Sequence, residues 1–99
     1  MPYIKDKRKP VFESGIMDIA KNIETIGEMN YVVTCLCHEY INKHGLSYDN
    51  LDALDGMLGC AGKELYRRVT GLYEDVKIVE NGDVMRLNYD LKRKLIKPQ

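Results

Sequence analysis

Residues 47–75 read SYDNLDALDGMLGCAGKELYRRVTGLYED, and the fold turns on how that stretch is taken. Leu51, Leu54, Leu58, Ala61, Leu65, Val69 and Leu72 follow one another at steps of three or four. That step puts them on one stripe of a long amphipathic helix. Ser47 offers a hydroxyl to the first free amides, and Asp49 and Asp52 fall in the first turns, where carboxylates suit the helix dipole. Gly56, Gly59, Gly62 and Gly71 each lower helix propensity by about 1 kcal/mol relative to alanine. Two readings of the glycines stand. Either the small patch Gly56, Gly59, Cys60 and Gly62 admits a close neighbouring helix, or one glycine near 56–62 splits the stretch in two. The continuous helix is the reading adopted.

A helix of about 28 residues is roughly 42 Å long. A compact domain of this chain length has a radius of gyration of only about 13 Å. The excess length predicts a second copy, as a homodimer or higher oligomer. The candidate interface is Leu51, Leu54, Gly56, Leu58, Gly59 and Gly62.

On the N-terminal side, Thr25-Ile26-Gly27-Glu28 has the form of a capping box. It predicts a helix from about Ile26 to Lys43 with Met29, Val32, Val33, Leu36, Cys37, Tyr40 and Ile41 as its apolar positions. Gly45 then fits the left-handed position that ends helices. The link to Ser47 is short, which favours antiparallel neighbours. Before this, Pro10 opens a shorter helix near 11–23 through Phe12, Ile16, Ile19, Ala20 and Ile23, weakened by Gly15. Residues 1–9 read as an extended arm whose Tyr3 and Ile4 dock on the body.

Past Asp75 the pattern changes. Residues 76–87 carry Asn81-Gly82 between two short β-prone runs, the signal for a two-residue hairpin turn. A loop with an Asn-Gly turn and no strand ladder is the competing reading. Residues 88–99 form a basic tail or add one helical turn through Tyr89, Leu91 and Leu95. The expected fold is therefore mainly α. A helical hairpin region, 11–45, and the long helix, 47–75, make one small domain over 1–99, with a possible C-terminal β-hairpin.

Composition narrows the function classes. The 15 basic and 15 acidic residues cancel, which argues against a protein held mainly by nucleic-acid phosphates. The charges are segregated, with basic ends and an acidic middle. Residues 10–62 hold eight acids against Lys21 and Lys43, while five basic residues face only Asp90 from Arg86 onward. Charged ends of this kind keep a small protein soluble, or they touch an acidic or anionic partner. No signal peptide and no membrane-length apolar run are visible. Three cysteines without a secretion signal point to reduced thiols. The expected setting is cytoplasmic, with no membrane partner.

The chemistry-bearing residues form no enzyme signature. Cys35 and Cys37 on one helix point about 200° apart and cannot share an ion without unwinding, so no metal or other cofactor is expected. His38-Glu39 beside a cysteine matches no nucleophile motif, and no phosphate-binding glycine loop is present. Glu64, Glu74, Asp75, Glu80 and Asp83 gather acids on one segment. A helical metal-dependent hydrolase needs acids on facing helices as well, and the preceding helix offers only Glu28 and Glu39. A solvated acidic face is the reading adopted. Lys63, Tyr66, Arg67, Arg68 and Tyr73 are the candidate ligand group. Guanidinium holds phosphate or carboxylate bidentately, and tyrosine stacks on a base. The plainer alternative pairs Glu64 with Arg67 or Arg68 across one turn and buries Tyr66.

Residues 27–84 carry a resemblance. Gly27-Glu28-Met29-Asn30-Tyr31, then His38 and Tyr40, then Gly45-Leu46-Ser47-Tyr48 come in that order. Glu64-Leu65-Tyr66-Arg67-Arg68 and the run from Tyr73 to Val84 ending in Glu80-Asn81-Gly82-Asp83-Val84 follow. The pattern resembles a family of short proteins of unknown function from bacteria, archaea and their viruses, with Met29 where leucine is usual. The resemblance implies a phage or mobile-element accessory protein and brings no catalytic residues with it. The expected function is thus a non-enzymatic, oligomerising interaction protein acting on a host protein. The alternative is a binder of a small anionic, nucleotide-type ligand.

Overall fold

The computed structural model describes residues 2–84. Along the chain come a short 3-10 turn at Asp6–Arg8, α1 at Pro10–Ala20, α2 at Ile26–His44 and α3 at Tyr48–Leu65. A π-helical segment at Tyr66–Thr70 follows, then α4 at Gly71–Asn81. No described residue lies in a strand. The protein is mainly helical, and the chain divides into two units, Met1–Gly62 and Lys63–Gln99.

Local chemistry accounts for the helix boundaries in the first unit. Pro10 occupies the first turn of α1, where a missing amide costs nothing. At the start of α2 the capping box is formed in full. Thr25 Oγ1 accepts from the Glu28 amide at 3.1 Å, and Glu28 Oε1 accepts from the Thr25 amide at 3.3 Å. The same carboxylate accepts from the Glu24 amide at 2.8 Å. The helix ends at Gly45, whose φ of 107° is open to glycine and costly for other residues. Its amide donates to the Ile41 carbonyl at 2.7 Å.

Ser47 Oγ accepts from the Asn50 amide at 3.1 Å and so caps α3. Asn50 does a second job that its sequence position does not announce. Its Nδ2 donates to the carbonyls of His44 at 3.3 Å and Gly45 at 2.7 Å. One side chain thereby ties the first turn of α3 to the last carbonyls of α2, groups a helix terminus otherwise leaves to water.

The glycines at 56, 59 and 62 do not interrupt α3. A Cβ added at any of the three would meet nothing within 4 Å. The departure from regular α geometry comes later and at a different glycine. Over Tyr66–Thr70 the ladder widens, and the Gly71 amide donates to the Tyr66 carbonyl five residues back. Leu65 and Gly71 on either side keep helical backbone angles, with φ near −60° and ψ of −44°. A Cβ at Gly71 would lie 3.1 Å from the Tyr66 carbonyl oxygen and 3.6 Å from its ring. A side chain there would be a tight fit against that carbonyl.

The expected hairpin is corrected by α4. Val76 to Asn81 are helical, so its first strand and half of its turn are absent. The remaining hairpin positions 85–87, and the tail 88–99, lie outside the described residues. The physical reason is that the three-and-four spacing runs on through Leu72, Val76 and Val79, which favours a helix over a short isolated ladder. Gly82 still supplies a positive φ, 84°, but as the stop of a helix, its amide donating to the Ile78 carbonyl at 2.8 Å.

Packing differs from expectation as much as topology does. No described residue is buried. Leu51 and Leu58 of the long stripe remain 38% and 41% exposed, and Ile16 and Leu36 about 60%. The expected seating of the shorter helices on the leucine stripe is therefore left open in the single chain.

Gly15 and Gly71 give opposite expectations. Gly15 has open space around it, so Gly15→Ala should raise stability by about 1 kcal/mol through propensity alone. Gly71→Ala forces the Tyr66 carbonyl to move and should lower the melting temperature. Circular-dichroism melts of the two variants beside the parent check this, and a rise in both would remove the steric role assigned to Gly71.

Candidate functional site

Two surfaces gather the residues singled out by the sequence, one in each unit. In the second unit, Arg67 Nη2 lies 3.0 Å from Glu64 Oε1, and Arg68 Nη1 lies 3.8 Å from the same oxygen. The two arginine side chains are 64% and 60% exposed, while that of Glu64 is only 21% exposed. A single carboxylate thus draws two guanidinium groups to one side of the helix, and the trio keeps a net positive charge. Of the plainer sequence reading, the Glu64 ion pairs are formed, while Tyr66 is not buried but 59% exposed.

The tyrosines flank this trio without completing a pocket. Tyr66 and Tyr73 are both well exposed. Lys77 Nζ sits 5.3 Å from the centre of the Tyr73 ring, within cation–π range, and also pairs with Glu80 at 3.0 Å. Lys63 ends the last turn of α3. The structure therefore joins Arg67 and Arg68 through Glu64 and leaves Lys63, Tyr66 and Tyr73 as exposed neighbours along the helix.

In the first unit, one face of α2 lines a groove of about 430 Å³. Ile26, Met29, Val33 and Cys37 form its apolar floor, and Leu58 of α3 closes the far side. Its edge is polar, where Thr34 Oγ1 donates to Asn30 Oδ1 at 2.8 Å and His38 stands beside them. Of the interface residues chosen from sequence, Leu58 alone lines this groove. At about 100° per residue, Gly56 lies on the opposite side of α3 from Leu51, Leu54 and Leu58, Gly59 lies to the side of them, and Gly62 borders the leucines. A smaller hollow of about 100 Å³ lies between Pro2 and Met57, Cys60 and Ala61, so the N-terminal arm runs against α3.

The cysteines are all free thiols. Among the described residues, no group of three His, Cys, Asp or Glu side chains comes together to hold a metal ion. Among them too, no helix is long and apolar enough to cross a membrane. Tyr31 is a titratable group that the fold perturbs. A hydrogen bond with the Cys35 side chain, then the charge of the Cys35 thiolate, then slight desolvation push its phenol above the ordinary value of 10.0.

Sequence reasoning missed the groove as a unit, the Asn50 clamp and the π-helical segment. The groove residues were visible as helix positions, but their openness was not. The clamp has no periodic signal at all.

Capped helices with exposed apolar faces make this a mainly helical chain. The chain belongs to the family of the domain of unknown function DUF6899, whose sequence profile matches residues 1–84. That span contains the resemblance at 27–84 and extends it to the N-terminal arm. No curated protein and no solved structure matches the chain.

The Tyr31 environment yields a direct check. Its raised pKa means that the neutral phenol is the form favoured by folding. The associated stability is present below pH 10 and lost as the pH climbs through the raised value. An ultraviolet titration should show one phenolate forming late, and Cys35→Ala should return it to the ordinary range. An unchanged titration in Cys35→Ala would contradict the pairing.

Proposed function

We propose that this protein is a small, non-enzymatic interaction module that works as an assembly of identical copies and engages a host protein as a phage or mobile-element accessory factor. The observation that carries the reading is the absence of any buried side chain among the described residues. Ordering a residue costs about 1–2 kcal/mol of backbone entropy. Fully burying a leucine or isoleucine returns about 1.5–3 kcal/mol. Side chains left 40–60% exposed return only part of that. A second copy covering the leucine stripe of α3 and the open face of α2 supplies the missing burial, and the glycine face with Gly56 and Gly59 gives a further surface for close approach. The accessory role rests on the family resemblance.

One feature favours a second reading. Arg67 and Arg68 remain largely exposed although both reach Glu64, which suits a phosphate-bearing ligand able to displace the carboxylate. In that reading the module sequesters a small nucleotide-type anion, with Tyr66 and Tyr73 as stacking surfaces. A metal-dependent hydrolase is the least supported reading.

Light scattering coupled to size exclusion should give a mass of two or more copies at micromolar concentration, and a strict monomer at high micromolar concentration would overturn the first reading. A thermal-shift screen with nucleotides separates the two. A flat screen agrees with the interaction module, whereas stabilisation that vanishes in Arg67→Ala assigns the ligand reading.

A further inference from the structure

We propose that α1 and the arm before it lie flat on an anionic lipid surface. Phe12, Ile16 and Ile19 enter the headgroup boundary, and Lys5, Lys7, Arg8 and Lys9 meet the lipid phosphates. The proposal goes beyond the association above, which covers α2 and α3 and leaves α1 open. At about 100° per residue, Phe12, Ile16 and Ile19 share one narrow arc of α1. They are 45%, 59% and 41% exposed. Val11 and Glu13 lie to either side of that arc, and Ser14, Met17 and Asp18 on the far side, so no acid falls within it. At 11 residues α1 is about 16 Å long, and a bilayer's apolar core is roughly 30 Å thick. A helix of this length cannot cross, and the missing membrane-length run does not bear on lying at the surface.

Charge on the same face selects the occupant. Lys5, Lys7, Arg8 and Lys9 stand against Asp6 alone in the arm, and all five are exposed. Asp6 pairs with Lys9 at 2.7 Å. Lys5, Lys7 and Arg8 pair with no carboxylate among the described residues. The Arg8 guanidinium lies 5.4 Å from the centre of the Phe12 ring, so a cation sits directly on the apolar face. Lys9 has helical backbone angles, and its carbonyl accepts from the Phe12 and Glu13 amides. Counted back along that helix, Lys9 borders the same arc. Both residues can lay their aliphatic stems along the apolar face and hold their charges at headgroup level. The face is a convex stripe bordered by cations at one end, the pattern of a helix that lies in the membrane interface. A lipid surface needs no shaped counterpart to meet it, whereas a protein partner does. Anionic headgroups supply the charge that the arm leaves unmatched.

Co-sedimentation of the full chain with vesicles tests this. At low salt the chain should pellet with phosphatidylcholine vesicles carrying about one-third phosphatidylglycerol, and stay in solution with phosphatidylcholine alone. Lys7→Gln combined with Arg8→Gln should weaken that binding about tenfold, and so should raising the salt to about 0.5 M. Ile16→Ser combined with Ile19→Ser should abolish it. Circular dichroism of each variant reads whether the parental helicity is kept. The arm variant leaves α1 unaltered, so its result stands even where the serine variant loses helicity. Equal binding to neutral vesicles, or binding that survives both pairs of substitutions, would overturn the proposal. A helical chain that pellets with neither vesicle would overturn it too. In that case a fall in light-scattering mass in the serine variant would assign the α1 face to a second copy instead.

Discussion

The structure depends on how its apolar faces are covered. Backbone hydrogen bonds within helices are local, and isolated helices shorter than about 12–15 residues are marginal in water. At 11 residues, α1 falls below that limit, and α2 at 19 residues does not greatly exceed it. Caps add about 1 kcal/mol each, enough to set boundaries but not to hold three helices in place. What remains is burial of Ile16, Met29, Val33, Leu36, Leu51 and Leu58, and within one chain that burial is partial. The proposed assembly follows from this shortfall, and so does the significance of an open groove along α2.

The boundaries were legible because their causes are local. The Thr25–Glu28 box, the Gly45 stop, the Ser47 cap and Pro10 each act within four residues, so a short window of sequence contains the whole interaction. The hairpin reading failed where two local signals competed. Asn81-Gly82 reads as a turn in isolation, yet Leu72, Val76 and Val79 extend the helical spacing into it. The glycine then serves as a helix stop, because a positive φ is needed at either kind of site. The π-helical segment was illegible for another reason. Gly71 looks like any helix-weakening glycine until the position of the Tyr66 carbonyl is known.

The candidate sites were legible to different depths. The spacing of Glu64, Arg67 and Arg68 permitted their pairing, and the pairing formed. The same spacing could not say whether the arginines would instead turn outward, since that depends on competition from ligand or solvent. The groove residues were each recognised as apolar positions of a helix. An amphipathic pattern states which face avoids water but not what covers it, and this limits how far sequence alone reaches toward function. Asn50 lies beyond that limit, because its two carbonyl partners belong to the preceding helix and no periodicity links them.

The central claim is that folding and association are one event for this chain. It is tested most directly by following helix content through thermal unfolding over a hundredfold range of protein concentration. Where folded chains cover one another's apolar faces, mass action raises the melting midpoint as concentration increases. The midpoint should rise, and helicity should be lost at the lowest concentrations. A midpoint that stays fixed across the range, with full helicity throughout, would contradict it.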